Sequence, residues 1–393
     1  MGRHVLALIA IFLCTTLAWF ILGQSIKART TEAGVGLGAD VESSWGAPQE
    51  QTPPQATTSQ IVQKSSSETE TITTPLPVER SRVRAAFELE QRQKGLLWFA
   101  TYRVDFRGDY LVRNTTAQDE VTVRLPFPAP DAIYDDFVLL VDGQPVPSSM
   151  ANGSVTAVIH RTPGTAFRIE TGYRSQGLGT WKYTFGKGVS QVRDFALEMQ
   201  TNFRDIDFPS GSLSPGTKQE TPRGWKLTWK YANVVTGYGI GMVMPEKLQP
   251  GPLAGRISFF APVSLLFFFF FLFMIASMRK IELHPMHYFF LATSFFAFHL
   301  LLAYLADHIS IHAAFAICSA VSIFLVVSYL RIVVSARFAW REAALSQLVF
   351  LVLFSYAFFF KGFTGLAITI GAILSLFAAM QMTARVDWHN RTA

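Results

Sequence analysis

Apolar and polar positions change their spacing three times along the chain. Residues 5–22 form an unbroken apolar run, preceded by Arg3 and His4, and its length is what a helix needs to cross about 30 Å of hydrocarbon. Such a run is either a retained anchor or a cleaved signal. The segment GQSIKAR that follows lacks the small-residue exit a cleavage site wants, so the run reads as an anchor over residues 1–23 with its N-terminus in the cytoplasm. Cys14 is preceded by Ile-Phe-Leu, without the small residue expected before a lipidated cysteine. Over residues 24–80 the apolar pattern gives way to Ser, Thr, Gln, Pro, Gly and Glu, as in SSWGAPQEQTPPQATTSQ and KSSSETETITTPLP. A segment so poor in apolar area does not offset its ordering entropy, and a disordered tether is expected.

Residues 81–255 switch to period two. Alternating or β-branched runs at 104–112, 120–125, 137–141, 155–159, 167–173, 181–185, 195–202 and 225–231 predict short antiparallel strands separated by turn chemistry. Asp142-Gly143 is a strong hairpin signal, because both residues accept positive φ. The spacing suggests a sandwich or barrel-like soluble domain. Trp181, Tyr183 and Phe185, and likewise Trp225, Trp229 and Tyr231, recur at even intervals and read as one inward core face rather than a stacking platform for a ligand.

From residue 256 to 393 long apolar stretches return at 257–278, 286–306, 311–334, 343–360 and 363–384, giving five membrane spans, six with the anchor. The predicted fold is therefore a membrane α-helical bundle, one N-terminal plus five C-terminal helices, with an inserted antiparallel β-rich periplasmic domain. Strict alternation with residues 24–255 outside assigns Arg279 and Lys280, then Arg331, Arg337 and Arg341, then Arg385 and Arg391 to the cytoplasm, with only Lys361 in a short outer loop. Both termini then lie in the cytoplasm.

Composition sharpens this. Half the residues are hydrophobic and 16% are charged, which excludes an ordinary soluble protein. Of the net +6, residues 256–393 carry nine Lys/Arg against four Asp/Glu, and residues 1–255 carry 25 against 24. A basic excess confined to the apolar half is the cytoplasmic-loop bias of a membrane protein, so no nucleic-acid partner is expected. Cys14 and Cys318 are too few for a disulfide framework and read as apolar packing.

Candidate chemistry is sparse. His284 and His287 lie three apart beside Glu282, a possible ligand pair, but Pro285 argues for a helix entry with His284 outside the helix. His299 sits near the middle of its span, about 18 Å of helix from His287; a neutral imidazole hydrogen-bonded between helices is the default, against a proton-relay or haem role. Asp307, His308 and His312 gather at the predicted outer ends of two spans, where they would hold zinc or copper, or else form a polar turn with Asp307 capping the next helix near Ser310. Asp131, Asp135 and Asp136 lack EF-hand spacing and read as a solvated acidic turn. The segment NFRDIDFPSGSLSP, with Arg204, Asp205 and Asp207 between Phe203 and Phe208, is either a contact loop or strand-terminal ion pairing. G-x-S-x-G, H-E-x-x-H and a phosphate-binding glycine loop are absent from the sequence, so no catalytic residue and no cofactor is expected.

Two stretches carry a resemblance. The run RKIELHPMHYFFLATSFFAFHLLLAYLADHISIH and the terminal TARVDWHN resemble the inner membrane protein CreD family of Gram-negative bacteria. In that family a cytoplasmic LHPMQY turn opens a span that ends in an S-E-H-like motif, and the chain closes with a basic residue before D-W-Y. Leu283, His284, Pro285, Met286 and Tyr288 match the first motif, with His287 in place of Gln; Asp307-His308 stands for Glu-His; Asp387-Trp388 match the last, with His389 in place of Tyr. The resemblance covers the membrane half and implies a divergent member, associated with cell-envelope integrity under envelope or carbon-source-linked stress, without an established catalytic activity. A non-enzymatic envelope protein is thus expected, its β domain binding or sensing an envelope protein, peptidoglycan or another envelope component, and its helices contacting membrane lipids. The alternative is a transporter or metal/haem-handling bundle using the histidines.

Overall fold

The longest strands arise where alternation is strictest. The computed structural model describes residues 2–384 apart from 66–67, 95–96, 187, 189 and 361. Helix α1 (Gly2–Trp45) is followed by β1 (Gln49–Gln51), β2 (Gln55–Ser65), β3 (Glu68–Pro75), β4 (Val78–Lys94) and β5 (Leu97–Arg113). Next come β6 (Glu120–Pro126), β7 (Tyr134–Val141), β8 (Gln144–Pro145), β9 (Ser148–Ala151), β10 (Ser154–His160) and β11 (Ala166–Leu178). The last strands are β12 (Thr180–Tyr183), β13 (Ser190–Thr201), β14 (Thr217–Glu220), β15 (Trp225–Thr236) and β16 (Ile240–Val243). Helices α2 (Pro250–Met278), α3 (Pro285–Leu305), α4 (Ile311–Val333), α5 (Ala336–Phe359) and α6 (Thr364–Thr383) complete the chain. It divides into two units, Gly36–Lys247, and Met1–Val35 with Leu248–Ala393.

In the first unit an eight-stranded sheet runs β14-β15-β13-β4-β5-β11-β7-β8, beside a five-stranded sheet β3-β2-β6-β10-β9 and a three-stranded sheet β1-β12-β16. The pairings are antiparallel except β4 with β13 and β1 with β12. On β4 the buried positions Val83, Ala85 and Phe87 alternate with exposed Arg82, Arg84 and Ala86, and β5 answers with Tyr102, Val104, Phe106 and Tyr110. One hydrophobic core joins these to Val121 and Val123 of β6, Val155 and Ala157 of β10, Trp181 and Tyr183 of β12, and Ile240 and Met242 of β16. The inner face of the large sheet is thus covered by the two smaller ones, as a period-two pattern requires. All eight predicted strands are present. Asp142 and Gly143 have φ of 51° and 77° and close the β7–β8 hairpin with Val141 opposite Gln144, the mirror-image turn that Asp-Gly favours. Trp181, Tyr183 and Trp229 are fully buried, the inward face expected of them.

Residues 24–80 are not a disordered tether. Helix α1 continues to Trp45, and three strands and the start of a fourth follow. Polar side chains order this segment where apolar area is scarce. Gln49 and Gln51 are buried on β1. Gln49 donates from Nε2 to Ser175 Oγ (2.8 Å) and to the Gln176 carbonyl (2.8 Å), and Gln51 Oε1 accepts from the Tyr173 hydroxyl at 2.6 Å. Such bonds offset the desolvation of the amides. The β unit therefore begins near residue 36, well before residue 81.

In the second unit Trp19, Phe268, Phe295, Phe298 and Leu330 share one core. The rings of Phe20 and Phe259 are 5.9 Å apart, a Cβ on Gly23 would meet the Phe259 ring at 3.0 Å, and Gly255 faces Ile26. Trp19 meets Phe296 and His299, while Arg29 reaches Ala303 and Asp307. Helix α1 therefore runs opposite to α2 and in the same direction as α3, the up-and-down order that alternating spans impose. Among the described residues six helices are long and apolar enough to cross a membrane. Leu13, Phe324, Ile332 and Phe377 among others stand exposed, as side chains facing hydrocarbon do. Helix α5 contains two π-helical stretches, Ala339–Ala343 and Leu348–Leu353; Ser264 of α2 donates to the Phe350 carbonyl there, satisfying one backbone group in the irregular segment.

Candidate functional site

The polar residues of the bundle fall into separate places. His284 is the N-cap of α3 with Pro285 at the first helical position, and its Nδ1 accepts from the Met286 backbone N–H at 3.3 Å, as the proline predicted. Met286 is exposed at the same end. The His287 ring lies edge-on to that of His284 with centres 6.3 Å apart, and its Nδ1 is 2.8 Å from the Tyr329 hydroxyl of α4. The histidine pair is thus one helix cap and one tie between helices.

His299 is fully buried and bonds within its own helix rather than between helices. Its Nδ1 lies 2.8 Å from the Phe295 carbonyl; a carbonyl only accepts, so Nδ1 carries the proton. Nε2 has no hydrogen-bond partner among the described residues, and the Trp19 ring packs edge-on at 5.4 Å.

Asp307, His308 and His312 do not form a ligand set. Helix α4 begins at Ile311, leaving His308 in the preceding turn, so the two histidines do not share a helical face. Asp307 instead takes Arg29 of α1 at 2.9 Å; the same guanidinium donates to the Ala303 carbonyl at 3.0 Å and lies 5.1 Å from the Tyr304 ring centre. His312 packs on Phe359, with ring centres 5.1 Å apart. Ser310, not Asp307, caps α4, accepting from Ala313 N–H. Among the described residues no group of three or more His, Cys, Asp or Glu is placed to hold a metal ion. Asp387 and Trp388 lie outside the described residues, as do Lys361, Arg385, His389 and Arg391.

In the β unit the acidic turn is paired, not merely solvated: Asp136, with φ of 50°, forms an ion pair with Arg174 on β11. The segment 202–215 packs as a strand-terminal loop. Phe203 is buried, Arg204 pairs with Glu220 at 3.3 Å, and the Trp225 indole donates to the Arg204 carbonyl at 2.8 Å.

A concavity lies on the outer face of the eight-stranded sheet, a groove of about 850 Å³ crossing β15, β13, β4, β5, β11 and β7. Strand register fixes its floor. Across the middle, Thr228, Glu198, Arg84, Arg107, Gly172 and Val138 stand side by side. The next row is Lys230, Ala196, Arg82, Asp109, Glu170 and Leu140. Asp109 takes Arg168 in a fork of 2.9 and 2.6 Å, and Arg107 reaches Asp105 at 3.3 Å. Partial burial pulls the Glu198 carboxyl up, but hydrogen bonds from Lys226 and Gln200 and the charges of Lys226 and Arg84 outweigh it and hold it below the ordinary range.

The LHPMH helix entry and the C-terminal helices correspond to a known family: residues 252–389 match the model described as Inner membrane protein CreD. The chain is CreD-like. The match covers about a third of this CreD-like chain, from α2 onward, and the β unit lies outside it. No curated protein matches the chain. Among solved structures, an M1 zinc metallopeptidase from Deinococcus radiodurans is 12% identical with a TM-score of 0.29, the match covering 43% of this chain and 42% of that chain. A mutant of that enzyme is 13% identical with a TM-score of 0.27 and the same coverage. A likeness at that level carries no inference about activity. The matched family is described as an inner membrane protein, and among the described residues this CreD-like chain has six helices long and apolar enough to span a bilayer.

Sequence reasoning missed the buried glutamines of β1, Arg29 as the partner of Asp307, and the groove. The groove was legible in part, since Arg82 and Arg84, Asp105, Arg107 and Asp109, and Arg168 and Glu170 recur at i, i+2. Which of them face one another depends on register alone.

Proposed function

We propose that this CreD-like protein is a non-enzymatic component of the bacterial inner membrane whose unit Gly36–Lys247 lies in the periplasm, engages an envelope component, and supports envelope integrity or the response to envelope stress. The observation that carries the reading is a β unit with its own core between the first and second membrane-capable helices. With that unit outside, Arg279, Lys280, Arg331, Arg337 and Arg341 occupy the connections that face the cytoplasm, in keeping with the positive-inside bias. The groove on the large sheet offers the β unit a surface for contact. A transporting or metal-handling bundle has less in its favour, because Asp307 is already taken by Arg29.

An in-frame deletion of residues 36–247, which keeps α1 up to Val35 and helices α2 to α6, tests this. Cells carrying it become sensitive to detergent or envelope stress while the bundle still inserts. An unaltered phenotype with the bundle inserted overturns the proposal. Crosslinking in cells from positions on the β unit identifies the component touched.

A further inference from the structure

The groove contains an arrangement that folding alone does not explain. Arg84 on β4 and Arg107 on β5 are direct cross-strand neighbours on the same exposed face, and like charges placed so are destabilising. Among the described residues Arg107 pairs with Asp105 on its own strand, at 3.3 Å, while Arg84 has no ion pair and shares the field of Glu198 opposite it. Beside Arg107 in the same row stands Gly172, which brings no side chain to the row and leaves a notch against the Arg107 stem. A Cβ there would meet the Phe106 carbonyl at 3.3 Å, so the backbone is closely packed beneath the gap.

From this we infer that the groove is a binding site for an acidic oligosaccharide, with Arg84 and Arg107 receiving its carboxylate at the notch. The inference rests on the envelope-binding reading above and names the class of ligand. A guanidinium matches a carboxylate in geometry and charge, and an anion bound between two of them relieves their repulsion. The rest of the floor selects against other ligands. Asp105, Asp109, Glu170 and Glu198 alternate with Arg82, Arg168 and Lys230 around the arginine pair, a floor of mixed sign that suits one isolated charge among hydroxyls better than a densely charged anion. An apolar ligand finds Val138, Leu140 and Ala196, since the other apolar lining residues, Val83, Tyr173 and Leu197, are buried beneath the floor. A chain of hydroxyls with an isolated negative charge can donate to the carboxylates and accept from the arginines along one row. Six strands at about 4.8 Å spacing give a groove roughly 24 Å across, several sugar rings long.

The test uses the full chain in nanodiscs and three probes: the disaccharide N-acetylglucosaminyl-N-acetylmuramic acid, its carboxylate-free counterpart diacetylchitobiose, and inorganic phosphate. The acidic disaccharide binds saturably, and the other two bind at least roughly tenfold more weakly, the value of one charge-assisted fork. The double variant Arg84→Gln/Arg107→Gln loses that preference while its thermal unfolding is unchanged or raised, since a like-charge pair has been removed. Absence of saturable binding by the native chain overturns the inference, as does a double variant that binds the acid as tightly. Phosphate binding as tight as the disaccharide overturns the assignment to a sugar. The comparison of probes on the native chain needs no variant. A chain that binds none of them while the 36–247 deletion still sensitises cells loses this inference and keeps the envelope reading; saturable binding without a deletion phenotype does the reverse.

Discussion

Replacing Gln51 by leucine separates a structured segment from a free tether. Gln51 is fully buried on β1, its Oε1 is the acceptor for the Tyr173 hydroxyl at 2.6 Å, and its Nε2 donates to the Thr52 carbonyl at 2.6 Å. Leucine fills similar space but leaves a fully buried phenol without an acceptor. Burial already holds the Tyr173 hydroxyl well above the ordinary tyrosine range, so it does not escape by ionising. An orphaned buried hydroxyl costs about 1–3 kcal/mol; at about 2 kcal/mol the local opening equilibrium rises roughly 30-fold. Hydrogen exchange of the full chain in detergent reads this directly, with faster exchange in peptides covering β1 and its partner β12. Tyr173→Phe alone loosens the same strands, and the double variant costs less than the sum, by about 1 kcal/mol, because neither polar group is then stranded. If residues 49–51 are unprotected in the native chain and Gln51→Leu changes nothing, the ordered β1 is wrong.

Two further outcomes follow from the geometry. Tyr102, Tyr110, Tyr173 and Tyr183 are buried and their hydroxyls are pushed up by desolvation; their folded pKa values exceed the unfolded value near 10, so the stability they contribute is intact below about pH 10 and falls as pH rises, by roughly 1.4 kcal/mol per unit per group. The β unit should unfold steeply in alkali, with a shallower slope in Tyr183→Phe; tyrosinate absorbance from all eleven tyrosines near pH 10 with the fold retained would refute this. Arg29→Gln and Asp307→Asn, combined in a double-mutant cycle on the detergent-solubilised protein, should show a coupling of about 0.5–1 kcal/mol, modest because Arg29 is about half exposed; zero coupling removes the tie between α1 and α3.

The elements legible in the sequence are those whose burial is apolar and periodic. Strands β5, β6, β7, β10, β11, β12, β13 and β15 alternate around Val, Ile, Phe, Tyr and Trp, and the five C-terminal spans are long apolar runs. What escaped is held by other means. Strand β1 buries glutamines, β2 buries Ala56 and Thr58 between exposed polar residues, and α1 beyond residue 22 presents Gly23, Ile26, Val41 and Trp45 at helical spacing, too few large side chains to lift a hydropathy average. Asn152-Gly153, with φ of 50° and 66° between β9 and β10, carried the same signal as Asp142-Gly143 and would have located β9. At the candidate sites, residue spacing correctly gave the His284 cap, because proline acts locally. It misjudged Asp307 and the groove, where the partners lie 278 residues away along the chain or are set by strand register.

The pairing of β1 with β12 also dictates an order of assembly. Gln49 pairs with Trp181, so the first strand of the β unit stays open until about 130 further residues have been synthesised, and so distant a contact closes slowly. The closing strand β16 ends at Val243, and α2 starts at Pro250. Completion of the sheet and emergence of the second hydrophobic helix are thus nearly simultaneous, so a chain stalled before that point exposes unpaired strand edges, a target for proteases and chaperones rather than a partly working protein.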